Sequence, residues 1–226
     1  MRNAIKIDHN TVVTIDNAGC IGEKEFDIVN VSNSLTAYYT ARVAILEQWC
    51  AGAHPTHIFL SNFTGDAAWS DYEKGIQQVF EEIGENLPPI KGSTESNFES
   101  MQSALSIMMI GKVAFEVSTN HLYHWFVVGK PLVGQEVVEQ AQHVAKLHEL
   151  YKLLKLGIAK QIWPVGSKGI AAECERIFEG KHFSCKLPLE KTSGPSTSVI
   201  VAVDKEQVHL FKEIMTVHYE AIHIKL

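Results

Sequence analysis

The sequence predicts an α+β chain of two domains, residues 1–130 and a smaller unit at 131–226. Short runs of alternating apolar and polar residues, such as Phe26-Asp27-Ile28-Val29-Asn30-Val31-Ser32, are interspersed with helix-length stretches at 36–51, 67–84 and 136–156. A chain of 226 residues that is 46% hydrophobic and 20% charged can bury a sizeable core, so disorder is not its default state. A turn-like stretch, Pro131-Leu132-Val133-Gly134-Gln135, interrupts the pattern and places a soft boundary near 128–134.

In order, residues 3–7 and 11–16 read as strands joined by Asp8, His9 and Asn10. A further strand is expected at 26–32. The helix at 36–51 has Ser34 or Thr36 as its cap and Gly52 as its stop. One face carries Tyr38, Ala41, Ile45 and Trp49, and a second carries Thr40, Val43, Ala44 and Cys50, with Glu47 in its midst. A helix apolar on two faces is buried. A buried carboxylate is costly unless protonated, hydrogen-bonded or metal-bound. Glu47 therefore either pairs with Arg42 or another base, or serves a site.

Gly52-Ala53-His54-Pro55 turns the chain into a buried strand at 57–60, and a loop follows at 62–66. Asp66 there is either an acid near a site or a cap for the helix at 67–84. A connector at 86–91 leads to the small, polar stretch Gly92-Ser93-Thr94-Glu95-Ser96-Asn97-Phe98 and an apolar strand at 104–113. Beyond it come a strand at 124–130, a long helix at 136–156, a short helix at 169–179 and a strand at 182–187. A loop at 191–196, a strand at 197–203, a helix from Asp204 and a strand at 216–225 complete the chain.

Several function classes are disfavoured. The net charge is −6, with 20 basic against 26 acidic residues and no Lys/Arg cluster, which argues against a nucleic-acid partner. No apolar run reaches membrane-span length, and the first six residues lack the apolar core of a signal peptide. Cys20, Cys50, Cys174 and Cys185 form no Cys-x-x-Cys pair, so the expectation is a reduced, cytoplasmic protein. The His54/His57 and His121/His124 pairs fall on strands, where i and i+3 point to opposite faces and share no metal. No nucleophile elbow, Walker loop or dinucleotide fingerprint is present.

The stretch Thr14-Ile15-Asp16-Asn17-Ala18-Gly19-Cys20-Ile21-Gly22-Glu23-Lys24 combines a strand-end carboxylate with two glycines and a lysine. A carboxylate so placed can hold a hard cation, and glycines let backbone N–H groups approach phosphate oxygens. Alone, the same residues are ordinary turn chemistry. In order and spacing, however, three elements recur together: this stretch, Glu47 five residues before Gly52-Ala53-His54-Pro55, and Gly92-Ser93-Thr94-Glu95. Through them the chain resembles the superfamily of aminoimidazole ribonucleotide synthetase, thiamine-monophosphate kinase and selenophosphate synthetase. Val128-Gly129-Lys130-Pro131-Leu132-Val133-Gly134 is similar to that family's link between domains.

The resemblance implies an N-terminal α+β domain that pairs with its twin in a homodimer to close a barrel-like sheet. It also implies a C-terminal α+β domain and Mg-ATP held by acids in the cleft between subunits. On it, Asp16, Glu47 and Glu95 are the implied Mg²⁺ ligands, with Asp16 and Glu47 catalytic. Gly19, Gly22, Lys24, Gly92 and Thr94 are the implied ATP and phosphate contacts, and Asp27 and Asp66 are further candidates. Some residues depart from the family pattern. Its helix Asp is Glu47 here, and either Thr94 or Glu95 takes the place of the third acid. The kinases' upstream Gly-Asp-Asp has no counterpart in this sequence. Lys168 in Gly166-Ser167-Lys168-Gly169-Ile170 replaces an acid. Together these features imply a small-molecule kinase of the α-ribazole kinase type, phosphorylating a ribosyl 5′-hydroxyl in cobalamin salvage. The alternatives are a thiamine-monophosphate kinase-like enzyme and an inactive nucleotide-binding regulator.

Overall fold

The structure is a computed structural model that describes residues 2–120 and 122–225, so His121 of the second histidine pair lies outside the described residues. The chain divides after Ala114 into two units, each with its own sheet.

The first unit contains β1 (Ile5–Lys6), β2 (Thr11–Gly19), β3 (Ile21–Gly22), β4 (Val29–Asn30), α1 (Asn33–Cys50), β5 (Ala53–Asn62), α2 (Trp69–Ile83), β6 (Ile90–Thr94) and β7 (Ala104–Val113). Its five-stranded sheet runs β1-β2-β7-β5-β6, antiparallel except for the parallel β5–β6 pair. Period-two alternation decides which side is covered. Val12 and Thr14 of β2 and Leu105, Ile107 and Met109 of β7 point inward and are buried. α1 lies on that side and is tied to it by hydrogen bonds as well as packing. Thr14 Oγ1 donates to Ala44 O (2.9 Å), and Gln48 Nε2 donates to Val12 O (3.2 Å) and Met109 O (2.9 Å). α2 covers α1 through Tyr72, Ile76, Val79 and Phe80. The helices touch closely at Gly75, where a Cβ would stand 2.0 Å from Ser34 O. α1 is thus enclosed on two sides, as its two apolar faces predict. On the opposite side of the sheet Ile5, Ile15 and Phe59 remain exposed.

Some boundaries move for identifiable reasons. α1 begins at Asn33 rather than 36, because Ser32 is the cap and its Oγ accepts from Leu35 N (3.2 Å). Only Gly52 turns the chain after α1, with φ 75°. Ala53, His54 and Pro55 already belong to β5, and Pro55 stands where the register against β7 shifts, a position that needs no ladder N–H. The connector after α2 closes with β6, a parallel edge strand. The strand expected at 26–32 shrinks to Val29–Asn30, because Asp27 is drawn into side-chain bonding.

The second unit contains β8 (His124–Val128), α3 (Glu136–Glu139), α4 (Leu147–Lys155), β9 (Ala159–Pro164), α5 (Gly169–Phe178), β10 (His182–Ser184), β11 (Val199–Val203), α6 (Val208–Ile214) and β12 (Tyr219–Lys225). The sheet is antiparallel in the order β10-β12-β8-β11-β9. β11 is buried at every position, which suits a central strand. The single helix predicted at 136–156 is instead broken. α3 gives way to a 3₁₀ turn at Ala141–His143 and to extended backbone at Val144, and Ala145 N donates to Thr197 O (2.9 Å) before α4 begins. β9, which the sequence reading leaves unassigned, pairs along β11.

Candidate functional site

Both acids of the first two motifs lie at the β2–α1 interface. Glu47 is completely buried, so its carboxylate must find its partners inside the protein. It finds them in the N-terminal segment. Arg2 Nη1 pairs with it, and Asn3 N (3.3 Å) and Asn3 Nδ2 (3.2 Å) donate to it. The base is therefore Arg2. Arg42, the same-helix alternative, lies within electrostatic range of Tyr38 and Tyr39. Asp16 is on the covered side of β2, in phase with Val12 and Thr14. Arg2 also lies within electrostatic range of Asp16. Burial pushes the Asp16 carboxyl up to about 7, against the opposing pull of the Asn17 N–H and the Arg2 charge. One guanidinium thus serves two carboxylates.

The remaining candidates lie around the end of the sheet where β2, β7, β5 and β6 meet their loops. Asp27 is buried there and accepts from Lys24 N (2.9 Å), Ser103 N (2.7 Å) and Ser103 Oγ (2.6 Å). It clamps the 20–30 loop to the start of β7. Gly22 completes the clamp, since a Cβ there would come within 2.4 Å of Ser103 Oγ. Lys24 Nζ donates to the backbone O (2.5 Å) and Oγ (2.8 Å) of Ser100. Gly19 is open, with nothing within 4 Å of a Cβ, whereas Gly92 is pressed against β5, its would-be Cβ 1.8 Å from Leu60 O.

Asn62 is the hub of this end. It is buried, and its Nδ2 donates to Gly65 O (2.8 Å) and Thr94 Oγ1 (3.2 Å). Its Oδ1 accepts from Thr64 N (2.9 Å), and its backbone O accepts from Glu95 N (2.8 Å). Glu95 is half-buried, and the Asn97 N–H bonded to its carboxylate (2.7 Å) holds its pKa below the usual range. Asp66 is exposed and opens a 3₁₀ turn at Asp66–Ala68, which makes it a helix-start residue.

The structure therefore brings the candidates into two groups. Asp16 and Glu47 share Arg2, while Lys24, Asp27, Thr94, Glu95 and Asp66 surround the sheet end. β2 and β6 are three strand spacings apart, about 14 Å, so Asp16 and Glu95 do not meet within one chain. Among the described residues no group of three or more His, Cys, Asp and Glu can hold a metal ion. The implied Mg²⁺ set of Asp16, Glu47 and Glu95 does not fit as a one-chain site, because Arg2 already supplies the positive charge at two of its members. Arg2, Asn3, Asn62, Ser100 and Ser103 were not singled out in the sequence. Each acts through a long-range pairing that carries no local motif.

No protein-family model matches the sequence, and no curated protein matches it in sequence. Solved structures do match its fold. Thiamine monophosphate kinase from Aquifex aeolicus superposes with a TM-score of 0.69 at 11% identity, over 100% of this chain and 89% of that one. A HypE chain from a HypE–HypF complex gives 0.65 at 15% identity, over 98% and 86%. T. maritima PurL complexed with ATP gives 0.58 at 12% identity, and there the match takes in 98% of this chain but only 42% of PurL. The two-unit architecture is thus the fold of the aminoimidazole ribonucleotide synthetase-like superfamily. The sheet of the first unit is open, not closed into a barrel.

Proposed function

We propose that this protein is an ATP-dependent small-molecule kinase of that fold, with a ribosyl 5′-hydroxyl as acceptor, the chemistry of an α-ribazole kinase. The observation that carries the reading is the match along essentially the whole chain to thiamine monophosphate kinase, a protein also solved with AMPPCP and TMP. The open Gly19 and the half-buried Lys24 on the 19–24 stretch supply a backbone approach and a cation for phosphate oxygens, once Lys24 leaves Ser100. Thr94 and Glu95, fixed by Asn62, face the same end. Phosphoryl transfer asks mainly for positioning and charge neutralisation, which these residues provide. Asp16 and Glu47 hold the Arg2 charge within the β2–α1 interface, and the phosphate contacts fall to the sheet end. Magnesium then arrives as the counter-ion of ATP, with no ligand role for Glu47.

A homodimer belongs to this reading. The uncovered side of the first sheet carries the cross-strand row Ile15–Met108–Phe59 and, beside it, Val13–Ile110. A second copy of the same face would cover these side chains, and exposed apolar rows of this kind mark interaction surfaces. The test of the reading is purified protein with ATP, Mg²⁺ and a panel of α-ribazole, thiamine phosphate and purine ribosides. Phosphorylation of one of them is expected, and no ATP-dependent product from any would sink the kinase. A second reading, a nucleotide-binding regulator without catalysis, is favoured by the Arg2 pairing at Glu47. Calorimetric ATP binding without turnover on the panel would select it.

A further inference from the structure

The second unit holds a feature that plays no part in phosphoryl transfer. Cys174 lies on α5 and is completely buried, and Cys185 follows β10 and is half-buried. α5 and β10 are joined by the short connection 179–181, and Cys185 lies within electrostatic range of Cys174. Phe178 at the end of α5 packs on Phe183 of β10, ring centroids 6.3 Å apart, and on Trp125 of β8, 5.2 Å apart. Cys174 is one helical turn before Phe178 on the same buried face, about 6 Å along the axis. Cys185 is two residues beyond Phe183 on the same side of the strand, a step of about 6.6 Å. The two steps match, so the thiols form the next rung beside the Phe178–Phe183 contact. The sheet register agrees. Continuing Ser184↔His223 sets Cys185 beside Ile222, which pairs with Trp125, the residue under α5.

We propose that Cys174 and Cys185 are a redox-active dithiol that closes to an intramolecular disulfide and pins α5 to the β10 edge of the second sheet. The oxidant is a low-molecular-weight disulfide such as oxidised glutathione. The Cys185 thiolate, the more accessible of the two, attacks one sulfur of that disulfide and releases one small thiol. The Cys174 thiolate then attacks the Cys185 sulfur and releases the second. In the net change the two protein thiols lose two protons and two electrons, and the small disulfide becomes two thiols. Burial raises the pKa of both cysteines, and each lies within electrostatic range of carboxylates. Thiolate is therefore scarce at neutral pH and closure is slow, which suits a response to sustained oxidation rather than turnover. Cys20 and Cys50 belong to the first unit and take no part.

The experiment is incubation of the full chain with oxidised glutathione, quenching with N-ethylmaleimide and peptide mass mapping, alongside thermal melting. The expected result is a single 174–185 disulfide-linked peptide pair, two hydrogens lighter than its reduced form. Tm should rise in the oxidised protein, and both signals should vanish in Cys185→Ser and in Cys174→Ala. Three results overturn the proposal: both cysteines still alkylated after oxidation, a disulfide to Cys20 or between chains, or a Tm rise that persists in Cys185→Ser.

Discussion

The two polar regions of the first unit handle charge in opposite ways. At the β2–α1 interface Glu47 is completely buried and paired with Arg2, whose charge also reaches the half-buried Asp16. At the sheet end, Asp27 and Asn62 are buried as scaffolding, while Lys24, Glu95 and Asp66 reach solvent from the loops they hold. The first arrangement stabilises the fold through a charge network that is costly to disturb. The second leaves its charges available at little structural cost, as the proposed phosphate contacts require. Which residues fail to fold and which merely fail to bind should separate along this line.

The largest effect is expected at the interface. Arg2→Ala strands a buried carboxylate and should lower unfolding free energy by about 3–5 kcal/mol in urea titration, whereas a loss under about 1 kcal/mol would show Glu47 to be neutral or otherwise paired. Asp27→Ala comes next. It removes an acceptor of three hydrogen bonds and leaves Ser103 N unpaired in the interior, so about 2–3 kcal/mol should go, with faster hydrogen exchange in the 20–30 loop.

The pH dependence is a subtler sign of the same contrast. Asp16 in the folded state takes up its proton at about 7, above its ordinary value of 3.8. Between those values the native state binds more protons than the unfolded one, so the Asp16 contribution to stability falls as pH rises from about 4 to 7. Asp16→Asn should flatten that slope. An unchanged slope would place the carboxylate in water. Ile15→Lys should leave the melting point nearly unchanged and shift sedimentation from dimer to monomer, and a dimer that survives it would move the interface away from the open sheet face.

Much of the fold was legible. The apolar runs at 11–16 and 104–113 predicted strands and the two apolar faces of α1 predicted a buried helix, because burial leaves its mark directly on the sequence. The need of Glu47 for a base was legible too, but its identity was not. Arg42 is five residues away on the same helix, a spacing that turns it off the Glu47 face, and Arg2 arrives only through β1 pairing beside β2. The long helix at 136–156 failed for a related reason. Its apolar stripe runs on through Val144, but Ala145 is claimed by Thr197, more than fifty residues later. In the site, motif order could not show that three intervening strand steps keep Asp16 from Glu95.

On the proposed reading, ATP is taken at the Lys24 end of the sheet and not at the Asp16–Glu47 pair. Calorimetric titration of Mg-ATP into the wild type, Lys24→Ala and Asp16→Asn tests it directly. Stoichiometric binding to the wild type is expected, with roughly tenfold weaker binding to Lys24→Ala for loss of one charge-assisted contact and wild-type affinity in Asp16→Asn. Binding that is lost in Asp16→Asn and untouched in Lys24→Ala would contradict it.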